Sequence, residues 1–295
     1  MSKSRTPVRR TDDTSESRTP VREADDTSES RTPVREAAPV RPVAHSARVW
    51  NYWCGGRDNY EVDERVGDEV AALFPVIRDV ARANRAFLGR AVRFLAGECG
   101  VRQFLDLGTG LPTGDNTHEV AQRVAPDARI VYVDNDPTVL MYARALLTGT
   151  DAGATDYLDA DVREPDALVE RAAETLDLGR PVAVLMLGVL NFVQDTEEAR
   201  SIVRRVMAAL PSGSHLALSH PTADLALGGE GQISAMAYWN EHARPPIRAR
   251  DRAATASLFE GLELLEPGLV SCSAWRPLSQ APAVVPQFGA VAVKP

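Results

Sequence analysis

Two acidic residues and a glycine turn carry the clearest chemical signal in the chain. Asp106 ends an apolar stretch and precedes a turn that contains Gly108 and Gly110, and Asp134 ends the next apolar stretch. Glycine lets a backbone turn sharply and approach a ligand, because no Cβ stands in the way. A carboxylate at the end of the second strand can accept hydrogen bonds from two ribose hydroxyls. This layout is typical of a βαβ unit that binds the adenosine half of a cofactor.

The spacing of the glycines distinguishes between two classes of cofactor. A dinucleotide fingerprint requires Gly-x-Gly-x-x-Gly. Here the third glycine, Gly114, comes one residue late, and Pro112 stands where the helix should begin. Asp106 would repel a pyrophosphate but attract the ammonium and sulfonium groups of S-adenosylmethionine. The pattern therefore favours S-adenosylmethionine over NAD, and a turn that binds no ligand is the third interpretation.

Composition limits the classes of function. With 295 residues, of which 44% are hydrophobic, the chain can bury one sizeable core and carry an appendage. A net charge of −8 argues against binding to the nucleic-acid backbone, and the three cysteines lack metal-ligand spacing. The longest apolar run, 181–193, is shorter than the roughly 20 residues that span a bilayer. We therefore expect a cytoplasmic protein with no metal site, no nucleic-acid partner and no membrane contact; its oligomeric state stays open.

The first residues form a repeat. The segment Ser-Arg-Thr-Pro-Val-Arg starts at positions 4, 17 and 30. Each copy is broken by proline, rich in mixed charge and poor in large apolar residues, so it cannot offset its own ordering entropy. We predict a disordered tail over 1–44, with a partner-docking or phosphorylated tail as the alternative. The ordered domain then covers 45–295, divided into an N-terminal helical cap over 45–100 and a core over 101–295.

Alternating apolar patterns predict the elements that position the two acids. A helical stripe over 80–95 leads into the first strand, and after Asp134 helices and strands alternate. The predicted elements are a helix over 137–147, a strand over 156–161, a helix over 164–176, a buried strand over 181–190, a helix over 196–210 capped by Asp195 or Thr196, and a strand over 214–219. Such alternation predicts a parallel sheet with helices on both faces.

The end of the chain follows a different pattern. Segments 270–275 and 288–294 read as strands joined by a proline-rich loop with no room for a helix, which predicts an antiparallel pair. The fold class is therefore α/β, a seven-stranded, mostly parallel Rossmann-like sheet with a terminal antiparallel hairpin. That architecture is typical of methyltransferases and differs from the six-stranded NAD-binding fold.

From about His45 to its end, the chain resembles the bacterial class I S-adenosyl methyltransferase family that was long called a domain of unknown function. The matching segments include SARVWNYWCGGRDNY at 46–60, RANRAFL at 82–88, FLDLGTGLPT at 104–113, NTHE at 116–119, VYVDNDP at 131–137, DAD at 159–161 and WRP at 275–277. Two positions depart from the family pattern. Cys54 replaces a usual aliphatic residue, and Asn191 stands where members often carry histidine.

The resemblance, together with the charge argument, implies where S-adenosylmethionine is held. The methionine moiety is expected beside Asp106, Gly108, Thr109 and Gly110. Asp134 is expected to hold the ribose, with Asn135 beside the adenine and with Asp161 and Val162 at the adenine edge. An alternative for Asp161 is a helix-capping acid before Glu164 and Pro165. Gly188 would give the cofactor room, and Leu187 would pack nearby.

The motif Gly55–Tyr60 is unusual for a plain surface loop. One interpretation is a lid over the cofactor, with Arg57 near its carboxylate and Tyr60 close by. The alternative is a salt-bridged brace of the N-terminal segment against the core.

The chemistry of transfer leaves few marks in a sequence, because a general base is optional in methyl transfer. Asn191, His220, Tyr238 and His242 are the polar residues that we expect to face the acceptor, although each has a structural hydrogen bond as its alternative. The chain lacks an Asn-Pro-Pro-Tyr-like motif and a Pro-Cys pair, which favours a small-molecule acceptor over a nucleic-acid base. We therefore predict an S-adenosylmethionine-dependent methyltransferase with an unidentified small-molecule acceptor. The alternatives are a non-catalytic module that binds S-adenosylmethionine and, less favoured, an NAD-dependent oxidoreductase.

Overall fold

The computed structural model describes residues 43–146, 149–278 and 282–295. The tail predicted over 1–44 lies outside these residues except at its end. There Ala44 is fully buried and begins the first short strand, β1 (Ala44–His45). The first described strand therefore begins one residue before the predicted boundary at His45.

Three helices follow this strand. They are α1 (Ser46–Trp53), α2 (Glu61–Leu73) and α3 (Ile77–Gly97). The helix predicted over 80–95 corresponds to α3, and its apolar stripe, which includes Val80, Phe87 and Leu95, is buried as expected. A separate two-stranded sheet joins β1 to β7 (Ala243–Arg244) in parallel and so ties the N-terminal segment to a late part of the chain.

Strands and helices then alternate. The strands are β2 (Gln103–Leu107), β3 (Arg129–Asp134), β4 (Ala154–Asp159), β5 (Ala183–Leu187), β6 (His215–Pro221), β8 (Glu263–Leu264), β9 (Val270–Ser271) and β10 (Gln287–Val293). The helices are α4 (Thr117–Val124), α5 (Pro137–Leu146), α6 (Pro165–Ala172), α7 (Thr196–Ala208), α8 (Leu225–His242) and α9 (Arg252–Ala256). Asp195 caps α7 by accepting a hydrogen bond from the Glu198 N–H, as predicted.

The main sheet has the order β4-β3-β2-β5-β6-β10-β8, and β9 also pairs with β10. The pairs among β2 to β6 are parallel, whereas β10 is antiparallel to its neighbours, which confirms the predicted fold class. The chain winds outward from β2 to β4 and then continues on the other side at β5. Open α/β sheets bind ligands where the strand order reverses in this way, at the carboxyl ends of the strands.

The last edge of the sheet is less regular than predicted. Two short strands, β8 and β9, both pair with β10 at this edge. The main sheet therefore has eight strands rather than the predicted seven. The predicted strand over 270–275 is a strand only at Val270–Ser271, and a 3-10 turn follows. Arg90 donates hydrogen bonds to the carbonyls of Cys272 and Trp275, at 2.6 and 2.8 Å, and the buried Trp275 ring packs against Phe87. These contacts turn the chain away from the sheet.

Each face of the sheet carries a hydrophobic core. Along β2, Phe104 packs with α3 on one face, while Leu105 and Leu107 pack with residues of α6 and α7 on the other. Because side chains alternate along a strand, Asp106 projects on the same face as Phe104. Within the described residues, no helix is long and apolar enough to cross a membrane.

Candidate active site

A cavity of about 490 Å³ lies where the strand order reverses. Its walls come from the carboxyl ends of β2, β3 and β5, and from α1, α3 and α8. Ten of the predicted site residues line it: Asp106, Gly108, Thr109, Gly110, Asp134, Asn135, Asp161, Val162, Gly188 and Asn191. Parallel strands end at one edge of a sheet, so residues far apart in the chain meet here.

Asp106 is buried at the floor of this cavity, with 5% of its surface exposed. Its Oδ2 accepts a hydrogen bond of 2.6 Å from Thr117 Oγ1 at the start of α4. Burial raises the pKa of Asp106 to about 6, although the Thr117 hydrogen bond and the nearby Arg85 guanidinium both act to lower it. An arriving cation would replace the lost solvation of this carboxylate.

The two glycines of the turn differ in what a side chain at each position would contact. Both have positive φ, +73° at Gly108 and +66° at Gly110. A Cβ on Gly108 would lie 2.5 Å from Val189 Cγ2, so this glycine permits protein packing. A Cβ on Gly110 would meet no heavy atom of the described residues within 4 Å. The space beside Gly110 therefore belongs to the cavity.

Asp134 connects the end of β3 to the glycine turn. Its Oδ2 accepts a hydrogen bond of 2.9 Å from the Gly110 N–H, and its Oδ1 accepts one of 3.0 Å from the Asp136 N–H. Burial raises the pKa of this carboxyl group, and the two backbone hydrogen bonds act in the opposite direction. Asp134 thus holds the turn in place as well as facing the cavity.

Asn135 and Asp161 form one polar group at the next edge of the cavity. Asn135 Nδ2 donates a hydrogen bond of 3.0 Å to Asp161 Oδ2, and the Arg163 N–H donates one of 2.9 Å to Asp161 Oδ1. The residue that caps α6 is Glu164. Asp161 therefore lines the cavity and also stabilises the turn that leads into the helix.

The structure places Arg57 and Tyr60 outside the cavity. Both are exposed, and Tyr60 packs its ring on the Arg48 guanidinium. Asp63, which is fully buried, accepts hydrogen bonds from Arg48 Nε at 2.7 Å and from the backbone N–H groups of His45 and Tyr60 at 2.9 Å. This geometry favours the brace, the alternative to a lid, although its ion pair joins Arg48 and Asp63, which lie outside the motif.

Two cavity residues that sequence reasoning missed lie on α3. Arg85 lines the cavity, and its guanidinium donates to Gly114 O at 3.1 Å and to Asn116 Oδ1 at 2.9 Å. Burial lowers the pKa of Arg85. Asn84 is 5% exposed and lies on the apolar stripe of α3. In the sequence, a polar residue on an otherwise apolar helical stripe was the feature that could have indicated this position.

His220 is not at the acceptor position that was predicted for it. The ring is fully buried outside the cavity lining, where Nδ1–H donates to Pro221 O at 2.9 Å and Nε2 accepts from Arg250 Nη1 at 2.7 Å. Burial lowers the pKa of His220 to about 3, so the ring is neutral. Its role is structural, because Arg250 also donates to the carbonyls of Leu190 and Val193 on either side of the turn that carries Asn191.

Tyr238 and His242 also lie outside the cavity. Their rings stack at 4.1 Å, one helical turn apart on α8. The residues of α8 that line the cavity are Gln232, Ala235, Met236 and Trp239. Helical periodicity puts that set on one side of α8, so the stacked pair falls on another side.

Asn191 does face the cavity. It lies in the 3-10 turn Leu190–Phe192 after β5. Its Oδ1 is buried and has no hydrogen-bond partner within the described part of the chain, and the same is true of Thr113 Oγ1. A Cβ on Gly188 would lie 3.7 Å from Asn191 Oδ1. Buried polar atoms are normally paired, so both of these atoms are available to a ligand that enters the cavity.

Part of the cavity lining is aromatic. Trp50, Trp53 and Trp239 all line it. The ring centroids of Trp50 and Trp53 are 5.8 Å apart, and those of Trp53 and Trp239 are 5.9 Å apart. We call these three residues the indole wall.

The parallel sheet that ends in antiparallel strands, the glycine turn after β2 and the acid at the end of β3 together define a class I methyltransferase fold. The family described as S-adenosyl methyltransferase matches residues 39–295, and the chain belongs to this family. It is therefore an S-adenosylmethionine-dependent methyltransferase rather than an NAD-dependent oxidoreductase. The resemblance found in the sequence is confirmed.

Two solved structures are similar over nearly their whole length. One is a DUF574 family protein from Streptomyces avermitilis, which is 43% identical with a TM-score of 0.81; the match covers 86% of this chain and 98% of that one. The other is a putative methyltransferase from Thermobifida fusca, which is 36% identical with a TM-score of 0.78; the match covers 85% of this chain and 95% of that one. Among proteins with curated functions, none matches the chain.

Proposed function

We propose that the protein binds S-adenosylmethionine at the strand ends and transfers its methyl group to a small molecule in the far part of the same cavity. The observation that carries this proposal is the continuity of the cavity. A single cavity is lined by Asp106 and Asp134, by Gly188 and Asn191, and by the three residues of the indole wall. A module that only senses the cofactor would need no open space beyond Gly188, so the geometry favours a transferase.

The cavity residues fit this cofactor. Gly110 leaves open space beside the turn, and Thr113 offers an unpaired hydroxyl. Asp106 would lie beside the cationic ammonium and sulfonium, and Gly108, Thr109 and Gly110 beside the methionine chain. Arg85, which lines the cavity, would attract the carboxylate in place of the predicted Arg57, which does not.

The other half of the cofactor would meet the ends of β3 and β4. Asp134 would accept hydrogen bonds from the ribose hydroxyls, and Asn135, Asp161 and Val162 would contact the adenine. When bound, S-adenosylmethionine supplies an electrophilic methyl group. The protein's own residues then have to orient the acceptor and exclude water, for which the buried walls of the cavity are suited. The net charge of −8 supports a small-molecule acceptor over a nucleic acid.

Calorimetric titration tests the cofactor part of the proposal. S-adenosylmethionine and S-adenosylhomocysteine should bind, whereas NAD should not. Asp134→Asn should weaken S-adenosylmethionine binding by about 1–3 kcal/mol, because it removes the charge that the ribose hydroxyls would meet. The matched control is Asp166→Asn, at an exposed carboxylate that pairs with Arg205 on the surface. Equal affinity in both variants would place the cofactor elsewhere.

A second experiment separates transfer from sensing. Protein loaded with S-adenosylmethionine is incubated with a panel of small molecules, and formation of S-adenosylhomocysteine is measured. A transferase forms it with at least one acceptor. A sensor binds both cofactor forms with no turnover across the whole panel.

A further inference from the structure

The part of the cavity wall that α1, α2 and α8 supply is built from uncharged side chains. Within the described residues, every cavity-lining side chain contributed by α1, α2 and α8 is apolar, a hydroxyl or a neutral amide. Apart from Arg244, the charged residues of the lining are Asp106 and Asp134 at strand ends, Asp161 and Arg163 in the turn after β4, and Arg85 on α3. Arg244, on β7, is exposed, and its guanidinium donates to Asn240 O and Ala243 O. A charged acceptor packed against α1, α2 and α8 would lose its hydration and find no charged partner on those helices.

The indole N–H groups of two members of the indole wall are engaged within the protein. Trp53 Nε1 donates to Gly67 O at 3.1 Å, and Trp239 Nε1 donates to Pro245 O at 2.9 Å. Both side chains are 4% exposed, so their polar atoms are already satisfied within the protein. Indole faces bind flat aromatic molecules by stacking and by edge-to-face contact.

One polar group on this side of the cavity lacks a partner. Asn191 Oδ1 is a buried acceptor without a donor and lies beside Gly188. The neighbouring amides are already engaged: Gln287 Nε2 donates to Asn84 Oδ1 at 3.4 Å, and Ser219 Oγ donates to the same oxygen at 2.5 Å. Asn191 is therefore the position at which a ligand hydroxyl or amine would gain most from donating a hydrogen bond.

From these observations we infer that the acceptor is a flat, uncharged aromatic molecule whose hydroxyl or amino group donates a hydrogen bond to Asn191 Oδ1. This inference rests on the proposed function, since it assigns the acceptor of that same cavity. Transfer would form a bond between the acceptor oxygen or nitrogen and the methyl carbon while the carbon–sulfur bond breaks. The electron pair stays on sulfur, and the acceptor proton passes to solvent.

Three probes test the two properties separately. They are 2-naphthol, which is flat and neutral; 2-naphthoate, which is flat and anionic; and trans-decahydro-2-naphthol, which is neutral but not flat. Each is titrated by calorimetry into the full chain, first alone and then with saturating S-adenosylhomocysteine. We expect 2-naphthol to bind at least tenfold more tightly than either of the other probes. Three of the four tryptophans line the cavity, so its binding should also quench the indole emission.

Two variants and one matched control locate the binding. Trp50→Leu removes one half-buried member of the indole wall and should weaken 2-naphthol binding at least fivefold. Asn191→Leu, which keeps the approximate shape but loses the acceptor, should weaken it to a similar extent. Tyr238→Leu makes a comparable aromatic-to-leucine change outside the cavity and should leave it unchanged. S-adenosylhomocysteine should bind all three variants as it binds the parent chain.

Each result decides one statement. Equal affinity for 2-naphthoate would refute the uncharged acceptor, and equal affinity for the saturated alcohol would refute the flat one. Failure of all probes while S-adenosylhomocysteine binds would refute the acceptor class and leave the proposed function intact. Failure of S-adenosylhomocysteine itself would refute the proposed function, and the titration of the free chain with 2-naphthol would then decide the aromatic site by itself.

Discussion

Replacing Asp106 with asparagine should make the free protein more stable and its cofactor binding weaker. The carboxylate is buried at the cavity floor, and its pKa is raised from 3.8 to about 6. The amide has nearly the same shape and keeps an oxygen that can accept the hydrogen bond from Thr117. The substitution therefore removes the cost of a buried charge with little change in packing.

The size of the effect follows from the two pKa values. Each tenfold difference in proton affinity corresponds to about 1.4 kcal/mol, so ionised Asp106 costs the fold about 3 kcal/mol at pH 8. Because the folded pKa lies above the unfolded one, this cost is absent well below pH 3.8 and grows until the pH passes 6. At pH 4.5 the same relation gives about 1 kcal/mol. The hydrogen bond from Thr117 is weaker to the amide than to the carboxylate, which offsets about 1 kcal/mol of the stability gain at either pH.

Urea unfolding without cofactor measures the effect. The stability of Asp106→Asn relative to the parent chain should rise by about 2 kcal/mol between pH 4.5 and pH 8. Asp166→Asn, at an exposed carboxylate, is the control and should show no such gain. The variant should also bind S-adenosylmethionine at least tenfold more weakly at pH 8, since the cation loses its counter-charge. A stability difference that stays constant across this pH range would refute the reasoning.

Three further predictions concern the turn, the buried guanidinium and the N-terminal boundary. Gly108→Ala should lower stability by more than the 1–2 kcal/mol or so that positive φ costs an alanine, because its Cβ meets Val189. Gly110→Ala should lower stability by only about that amount, yet it should reduce the affinity for S-adenosylhomocysteine at least tenfold. A large loss of stability with unchanged affinity, in paired melting and titration experiments, would instead make Gly110 a packing residue. Arg250→Ala should lower the free energy of unfolding in urea by about 3 kcal/mol or more. The residue is 2% exposed, and its loss leaves the carbonyls of Leu190 and Val193 without a donor. Arg248→Ala, at an exposed residue, should cost far less, and equal costs would contradict this account. A chain starting at Val43 should melt within a degree or two of the full chain. A chain starting at Ser46 loses the buried Ala44 and the hydrogen bond from His45 to Asp63, so it should melt at a lower temperature. Equal melting temperatures for the two truncated chains would show that this contact contributes nothing.

The part of the site that could be predicted is the part that is local in the chain. Asp106, Gly108 and Gly110 lie within one strand and its turn, and Asp134 ends the next strand. Apolar runs of strand length predicted that the two strands are parallel neighbours, and parallel neighbours end at the same edge. The contact between Asp134 and the Gly110 N–H follows almost directly from that arrangement.

Side chains on the later helix were harder to assign. The sequence predicts that Tyr238 and His242 face the acceptor, whereas the α8 residues that line the cavity include Met236 and Trp239. No sustained amphipathic stripe runs along α8, which contacts α2 as well as the cavity. Its orientation therefore depends on the packing of two other surfaces and has no clear periodic signal in its own sequence.

What the sequence by itself determined was the class of fold and the part of the cavity at the ends of β2 and β3, because backbone turns, strand periodicity and charge are properties of short segments. Only the tertiary structure decided which side chains line the rest of the cavity and which isolated polar residues are hydrogen-bonded away from it. Arg85 and Trp50 reach the cavity because α1 and α3 pack against the strand ends. His220 is withdrawn from it because Arg250, 30 positions away, binds its ring. Such contacts join distant segments, and no spacing within one segment records them.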